Sequence, residues 1–340
     1  MEKSKNLTMA DIAKLAGVSE ATVSRALKDS PLINKETRAR VQRIARENNY
    51  EINAAARNFR TKKTHTLAVV LLVDRRWGHE VSDAFLMVLL GSIADEAGQQ
   101  GYDLLLSTNQ SDVADLNAYF LESKRADGLI IIGQGRNDPR LDRLAEAKAP
   151  FIVWGAEMAD HNYYTVGSDN RRGGYDATSL LARNGRRRIA FMGDVRHPEM
   201  EHRWEGYQKA LADAGLAYDD GLVIPTDFSQ SDGYKKADLL AQGGKPTCDA
   251  VFCVSDNIAL GLLKRFAELG IRVPDDVAVV GFDDNPPALF STPGLTSIKQ
   301  DVQEGGRLLV QNLIKVLNGQ TIDHVAMPTE LVIRDSCGQG

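Results

Sequence analysis

Apolar positions in the first fifty residues recur at helical spacing, and turn chemistry interrupts them. In LTMADIAKLAGVSEATVSRALKDSPLINKETRARVQRIARENNY, Thr8 can cap a short helix carrying Ile12, Leu15 and Ala16 inward. Gly17 permits a sharp turn, and Ser19 can cap a second helix with Val23, Ala26 and Leu27 facing in. Pro31 closes it. Asn34 can cap a third helix on which Val41, Ile44 and Ala45 share one side while Arg38, Arg40, Arg43 and Arg46 stay wet. Three small helices with a glycine in the first turn predict a helix-turn-helix unit.

The period changes from Thr66 onward. Strand-sized apolar runs (LAVVLLV, YDLLLST, GLIIIG, FIVWG, then TVGSD, RIAFMG, LVIPTD, AVFCVSD and VAVVGFDD) alternate with amphipathic stretches. Buried strands alternating with crossover helices mean parallel, doubly wound α/β sheets. About ten such units are too many for one sheet. A division near Asn162 to Val166 gives two Rossmann-like subdomains with a cleft between them, where the carboxyl ends of strands meet and ligands bind.

Between head and body lies INAAARNFRTKK, residues 52–63. Ile52, Ala55, Ala56 and Phe59 fall at i, i+3, i+4 and i+7, with Asn53 placed as a cap and Arg57 and Arg60 flanking. About two turns is far below the roughly 12 to 15 residues at which an isolated helix becomes marginal in water. Alone such a segment should be frayed, a helix conditional on a partner surface.

The net charge of −5 conceals a division. Residues 1–64 hold fourteen Lys and Arg against seven Asp and Glu, a balance of +7; the remainder, 27 against 39, carries −12. A basic head suits a polyanion, and an acidic body repels one. No apolar run approaches the roughly 18 to 20 residues of a membrane span, and MEKSKNLTMADIA lacks an apolar signal core, so a cytoplasmic protein without membrane association is expected. Cys248, Cys253 and Cys337 show no metal-ligand spacing with the six histidines. Neither a P-loop nor a GxSxG elbow occurs, and GQGRND after GLIIIG is not a GxGxxG loop; no enzyme machinery and no cofactor is expected.

The start of the second helix presents Ser19, Glu20, Ala21, Thr22 and Ser24 with one long donor, Arg25. Arginine matches guanine bidentately, short hydroxyls reach phosphates, and alanine can contact a thymine methyl. At the other end of the chain, Asp283-Asp284 closes a strand as GFDD, suited equally to capping a turn or to holding a ligand.

AGVSEATVSRAL followed by NAAARNF closely resembles the DNA-binding head and hinge of the lactose-repressor (LacI/GalR) family of bacterial transcription regulators. VGSDNRRGG, HRWEGYQKAL, SDNIALGLLKRFAELGIRVPDDVAVVGFDD, LTSIKQD and ELVIRDS resemble the family's sensor, a relative of the type I periplasmic sugar-binding proteins. The expected organisation is a helix-turn-helix head (1–50), a hinge (51–64) and an effector-binding and dimerisation domain (65–340). Within the last, the first subdomain takes about 65–165 and 296–327, the second about 166–295 and 328–340.

The resemblance implies that Glu20 and Ala21 select the operator, that Arg25 reads a base and that Thr8, Ser19, Thr22, Ser24, Asn34 and Tyr50 anchor the DNA backbone. Asn53, Ala56, Arg57 and Phe59 act in the hinge, the two hinge segments of a dimer being expected to fold against each other in the minor groove with Phe59 as an apolar wedge where leucine is usual. Effector contacts are implied for Arg203, Asp283, Ser255 and Asp256, with Phe85 and Trp154 suiting either core or pocket wall. Ser255 stands where many sugar-binding members carry a longer amide, and Glu199 where a small hydroxyl residue is common. Carboxylate and guanidinium can hold adjacent hydroxyls while an aromatic face packs on the C–H side of a pyranose, so a sugar or sugar derivative is the expected effector. The resemblance further implies a homodimer on a palindromic operator with half-sites about one helical turn apart, repressing a carbohydrate operon under allosteric control. ELVIRDSCGQG has no apolar heptad, so no tetramerisation helix is expected.

Overall fold

The computed structural model describes residues 7–48, 50, 63–72, 81–108 and 115–338. The chain divides between Thr64 and His65 into two units. In the first, α1 (Met9–Ala16), α2 (Glu20–Ala26) and α3 (Lys35–Glu47) pack around Ile12, Ala13, Ala16, Val23, Ala26 and Val41. Leu15 is 57% exposed, contrary to the inward face expected of it, because Ala13 and Ala16 rather than Leu15 meet the other helices. Each helix begins on a side chain chosen by the sequence. Thr8 accepts the Asp11 N–H at 3.3 Å while the Asp11 carboxylate accepts the Thr8 N–H at 2.8 Å; Ser19 accepts from Thr22 N at 3.2 Å, and Asn34 from Thr37 N at 2.8 Å. Gly17 ends α1 at φ 62°, a left-handed turn open to glycine at no steric cost.

The body contains two six-stranded sheets. Its elements in chain order are β1 (Thr66–Leu71), α4 (Ala84–Gln99), β2 (Asp103–Ser107), β3 (Gly128–Ile132), α5 (Pro139–Glu146), β4 (Phe151–Trp154), β5 (Thr165–Ser168), α6 (Asn170–Arg183), β6 (Ile189–Met192), α7 (Pro198–Asp213), β7 (Val223–Ile224), α8 (Gln230–Lys236), the small hairpin β8 (Ala241–Gln242) and β9 (Lys245–Pro246), β10 (Ala250–Cys253), α9 (Asp256–Glu268), β11 (Ala278–Asp283), α10 (Pro286–Leu289), β12 (Thr296–Lys299), α11 (Val302–Leu317), β13 (Val325–Met327) and β14 (Glu330–Val332). The first sheet runs β13-β5-β4-β3-β1-β2, all parallel. The second runs β14-β12-β11-β10-β6-β7, parallel except for β14 against β12. Strand alternation divides the first sheet's core: Leu67, Val69 and Leu71 pack with α4 and α11, Ala68 and Val70 with Phe120, Leu141 and Leu144. In the second subdomain, α6 and α7 touch through glycine, since a Cβ on Gly206 would lie 2.1 Å from the Arg171 carbonyl oxygen.

The chain passes between subdomains three times, and two passages lie later than the sequence suggests. Strand β5 stays in the first sheet through Ser168 instead of ending at 165. Segment 296–299, assigned above to the first subdomain, is β12, an inner strand of the second sheet. Its TSIK sequence resembles a connector because its polar groups are satisfied by tertiary partners, with Thr296 Oγ1 donating to the Arg334 carbonyl and Ser297 Oγ to Asp256. Only from α11 does the chain rejoin the first subdomain.

Candidate nucleic-acid interface and ligand cleft

On α2, Glu20, Ala21 and Arg25 are exposed and Ser24 half-buried, opposite the buried Val23 and Ala26. A small-residue surface with one arginine therefore projects from the head. Thr22 lies at its edge, where its hydroxyl meets Ser19 Oγ at 2.9 Å. Thr8 and Asn34 stand at the N-termini of α1 and α3, where free backbone N–H groups favour phosphate oxygens. Tyr50 packs against the head's core, and burial together with the Glu20 charge pushes its phenol up from the usual value. Asn53, Ala56, Arg57 and Phe59 lie outside the described residues.

A cavity of about 270 Å³ opens between the two subdomains of the body. This lies near the lower bound of roughly 300 Å³ for small-molecule sites. Phe85, in the first turn of α4, and Trp154, at the end of β4, form an apolar wall with ring centroids 5.8 Å apart. Arg203 reaches in from α7 and is almost wholly buried. Its Nε donates to Asn170 Oδ1 at 2.8 Å, one terminal nitrogen donates to the Val254 carbonyl, and the guanidinium sits 3.5 Å from the centroid of the Phe282 ring.

Asp283 and Asp284 adopt φ of 111° and 55°, a conformation costly for residues with a Cβ. The consequence is that consecutive carboxylates part company. Asp283 lines the cleft and accepts from Gln300 Nε2 at 2.7 Å; Asp284 turns back to pair with Arg334 at 2.6 Å. Burial pushes the Asp283 carboxyl up to about 7, with the Arg203 charge opposing and Asp83 adding to the rise. Glu199 also lines the cleft and is also pushed up to about 7 by burial, against the pull of Arg203.

Five of the six effector residues expected from the sequence converge here: Phe85, Trp154, Arg203, Ser255 and Asp283. Asp256 does not. It is fully buried behind the cleft, accepting the Asn285 N–H at 2.7 Å and the Ser297 hydroxyl at 2.6 Å, so its role is to fix the β11 end and β12. The cleft adds residues that sequence reasoning passed over: Asp83, Asn257, Gln300, His197, Phe228 and the Asp138–Arg140 pair. Asp83 had a visible signal as the cap before AFLMVLL; it accepts the Phe85 N–H at 2.9 Å and, on its other oxygen, the amide of Asn257 from the opposite subdomain. Arg136 and Glu201 form a second tie across the opening. Among the described residues no group of three His, Cys, Asp or Glu could hold a metal, and no helix is long and apolar enough to cross a membrane.

A helix-turn-helix head joined to a two-sheet body with an interdomain cleft defines a regulator of the class that couples a DNA reader to a periplasmic-binding-type fold. Residues 8–53 match the family model "Bacterial regulatory proteins, lacI family", and residues 178–337 the "Periplasmic binding protein-like domain". The HTH-type transcriptional regulator CelR of Thermobifida fusca is 32% identical over 99% of this chain and 100% of its own. A solved CelR–cellobiose complex is 31% identical, with a TM-score of 0.72 over 97% of this chain and 99% of the other. The lac repressor dimer bound to operator and the anti-inducer ONPF shares the fold at 24% identity, with a TM-score of 0.84 over 98% and 100%. The chain belongs to the lacI family of bacterial transcriptional regulators.

Proposed function

We propose that this protein is a homodimeric repressor of a carbohydrate uptake or catabolism operon, whose affinity for a palindromic operator is set by a small sugar in the cleft. The observation that carries this reading is the meeting of Arg203 and Asp283 with the Phe85–Trp154 wall in a cavity of about 270 Å³. A guanidinium and a carboxylate bracket neighbouring hydroxyls, and aromatic faces cover the apolar side of a ring. The similarity to a regulator solved with cellobiose supports the same ligand class.

In the head, Glu20 and Ala21 select bases, Arg25 reads one, and Thr8, Ser19, Thr22, Ser24, Asn34 and Tyr50 set the helices on the DNA backbone. Asn53, Ala56, Arg57 and Phe59 complete the contact from the hinge. Equilibrium titration with mono- and disaccharides, purines and phosphorylated sugars, followed by gel shifts on promoter DNA with and without the ligand found, tests the proposal. Saccharide binding with release of the operator is expected; binding only of a nucleobase or amino acid would overturn the sugar reading.

A further inference from the structure

Resting on that reading of the cleft, we propose that the effector is an amino sugar, its ammonium group held by Glu199 and Asp283. The observation is a charge imbalance within the cavity. Among the described residues, Asp83, Asp138, Glu199 and Asp283 line it, against Arg140 and Arg203. Arg140 binds both oxygens of Asp138 through Nε and a terminal nitrogen, so that pair is neutral. Burial lowers the His197 imidazole below its ordinary value, leaving it uncharged at neutral pH. Among the described residues, one cation, Arg203, therefore faces three carboxylates, with Asp256 buried directly behind them.

Arg203 cannot neutralise them all. Its Nε is held by Asn170 and one terminal nitrogen by the Val254 carbonyl. Asp83 is occupied as an acceptor by Phe85, Leu86 and Asn257. Among the described residues no side chain hydrogen-bonds to Glu199, and Asp283 has one side-chain donor, Gln300, on one oxygen. Unused acceptors on charged, poorly solvated carboxylates are what a primary ammonium, with three donors and a positive charge, satisfies. The upward displacement of both carboxyls has the same origin: without a ligand cation, protons serve instead. A sugar phosphate or uronic acid would add a further negative charge and is disfavoured by this balance.

Calorimetric titration of the full-length protein at pH 7 compares glucosamine with glucose, N-acetylglucosamine and glucose 6-phosphate, and a chitosan disaccharide with cellobiose. The amine of at least one matched pair is expected to bind ten-fold or more tighter than its neutral counterpart. Titrations in buffers of different ionisation enthalpy should show proton release with the amine and none with the neutral sugar. In Glu199→Gln, which keeps the side chain's shape, the amine-to-neutral ratio should fall toward one and the proton release should diminish. Equal or tighter binding of the neutral sugars overturns the amine assignment and leaves the sugar reading standing. Preference for glucose 6-phosphate overturns the charge argument, and binding of none of these saccharides overturns both.

Discussion

Replacing Asp256 separates a structural carboxylate from a ligand contact. Its two oxygens accept from a buried backbone N–H (Asn285) and a buried hydroxyl (Ser297) at 2.7 and 2.6 Å. Asp256→Ala leaves the N–H without an acceptor, at a cost of about 1–3 kcal/mol, whereas the hydroxyl can rotate toward another partner. The void left by the carboxylate adds roughly 1 kcal/mol. A loss of about 2–4 kcal/mol in a body of this size lowers Tm by about 4–10 °C. Asp256→Asn is different. Its amide oxygen can take the Asn285 N–H and its NH₂ can donate to Ser297 Oγ, and it replaces a carboxyl whose ionised form burial and the Asp283 charge disfavour. Stability should then stay within about 1 kcal/mol of the parent. Thermal unfolding by circular dichroism, with ligand titration of each variant at a temperature where it is folded, checks both. A parental Tm for Asp256→Ala would refute the structural role. Loss of ligand binding in a stable Asp256→Asn protein would restore the direct contact that the sequence suggested.

Arg25→Ala should weaken operator binding about 10- to 100-fold, the roughly 1–3 kcal/mol of one base contact, measured by gel shift at fixed salt; an unchanged affinity removes Arg25 from the reading set. Phe59→Ala, at a position proposed from the hinge pattern and the family resemblance, should sharply weaken operator binding and spare ligand binding, and retention of operator affinity rules out the wedge. Without ligand, stability should fall with rising pH through the Glu199 range. Its carboxyl titrates near 7 when folded and near 4.5 when unfolded, so between these values the native state holds more protons and loses stability as pH rises. Glu199→Gln removes its share of that slope, leaving the share of Asp283, and gains at most about 3 kcal/mol relative to the parent between pH 4.5 and 8; urea denaturation showing no pH-dependent gain would refute the burial of this charge.

The head was legible because each helix start is written locally: Thr8, Ser19 and Asn34 all cap as their positions suggested. Leu15 was not, since helical spacing shows a face but not its width, and alanines close the interior here. The inner parallel strands were legible as apolar runs buried on both faces, and the edge strand β2 as an apolar run although it is not buried. Strand β12 was hidden because Thr296 and Ser297 are interior hydroxyls paired with distant Arg334 and Asp256, which no local pattern reveals. The cleft divides similarly. Arg203, one charge among many on α7, was reached through the family resemblance, as was the ligand role of Asp283 that GFDD alone left open, while Gln300 and Asn257 gain their meaning only when a crossover and a helix start are brought to Asp283 and Asp83.

Those late-appearing residues bear on how the cleft can signal. Asp83 and Asn257 belong to opposite subdomains, as do Arg136 and Glu201. A hydrogen bond to a carboxylate contributes about 1.5–3 kcal/mol and a partly exposed ion pair about 0–1 kcal/mol, so the two ties favour closure by only a few kcal/mol before the cost of ordering side chains. Driving an equilibrium from 1:99 to 99:1 takes about 5.5 kcal/mol. The ties alone fall short of that, and a ligand touching only one subdomain adds no preference for closure. A ligand bridging the Phe85–Trp154 wall of the first subdomain and Arg203, Glu199 and Asp283 of the second supplies contacts that exist only when the cleft is closed. On the proposed reading, control of subdomain orientation would reside in residues that face each other across the gap, and Asn257→Ala, which removes a tie, should reduce ligand affinity although Arg203 and Asp283 remain in place.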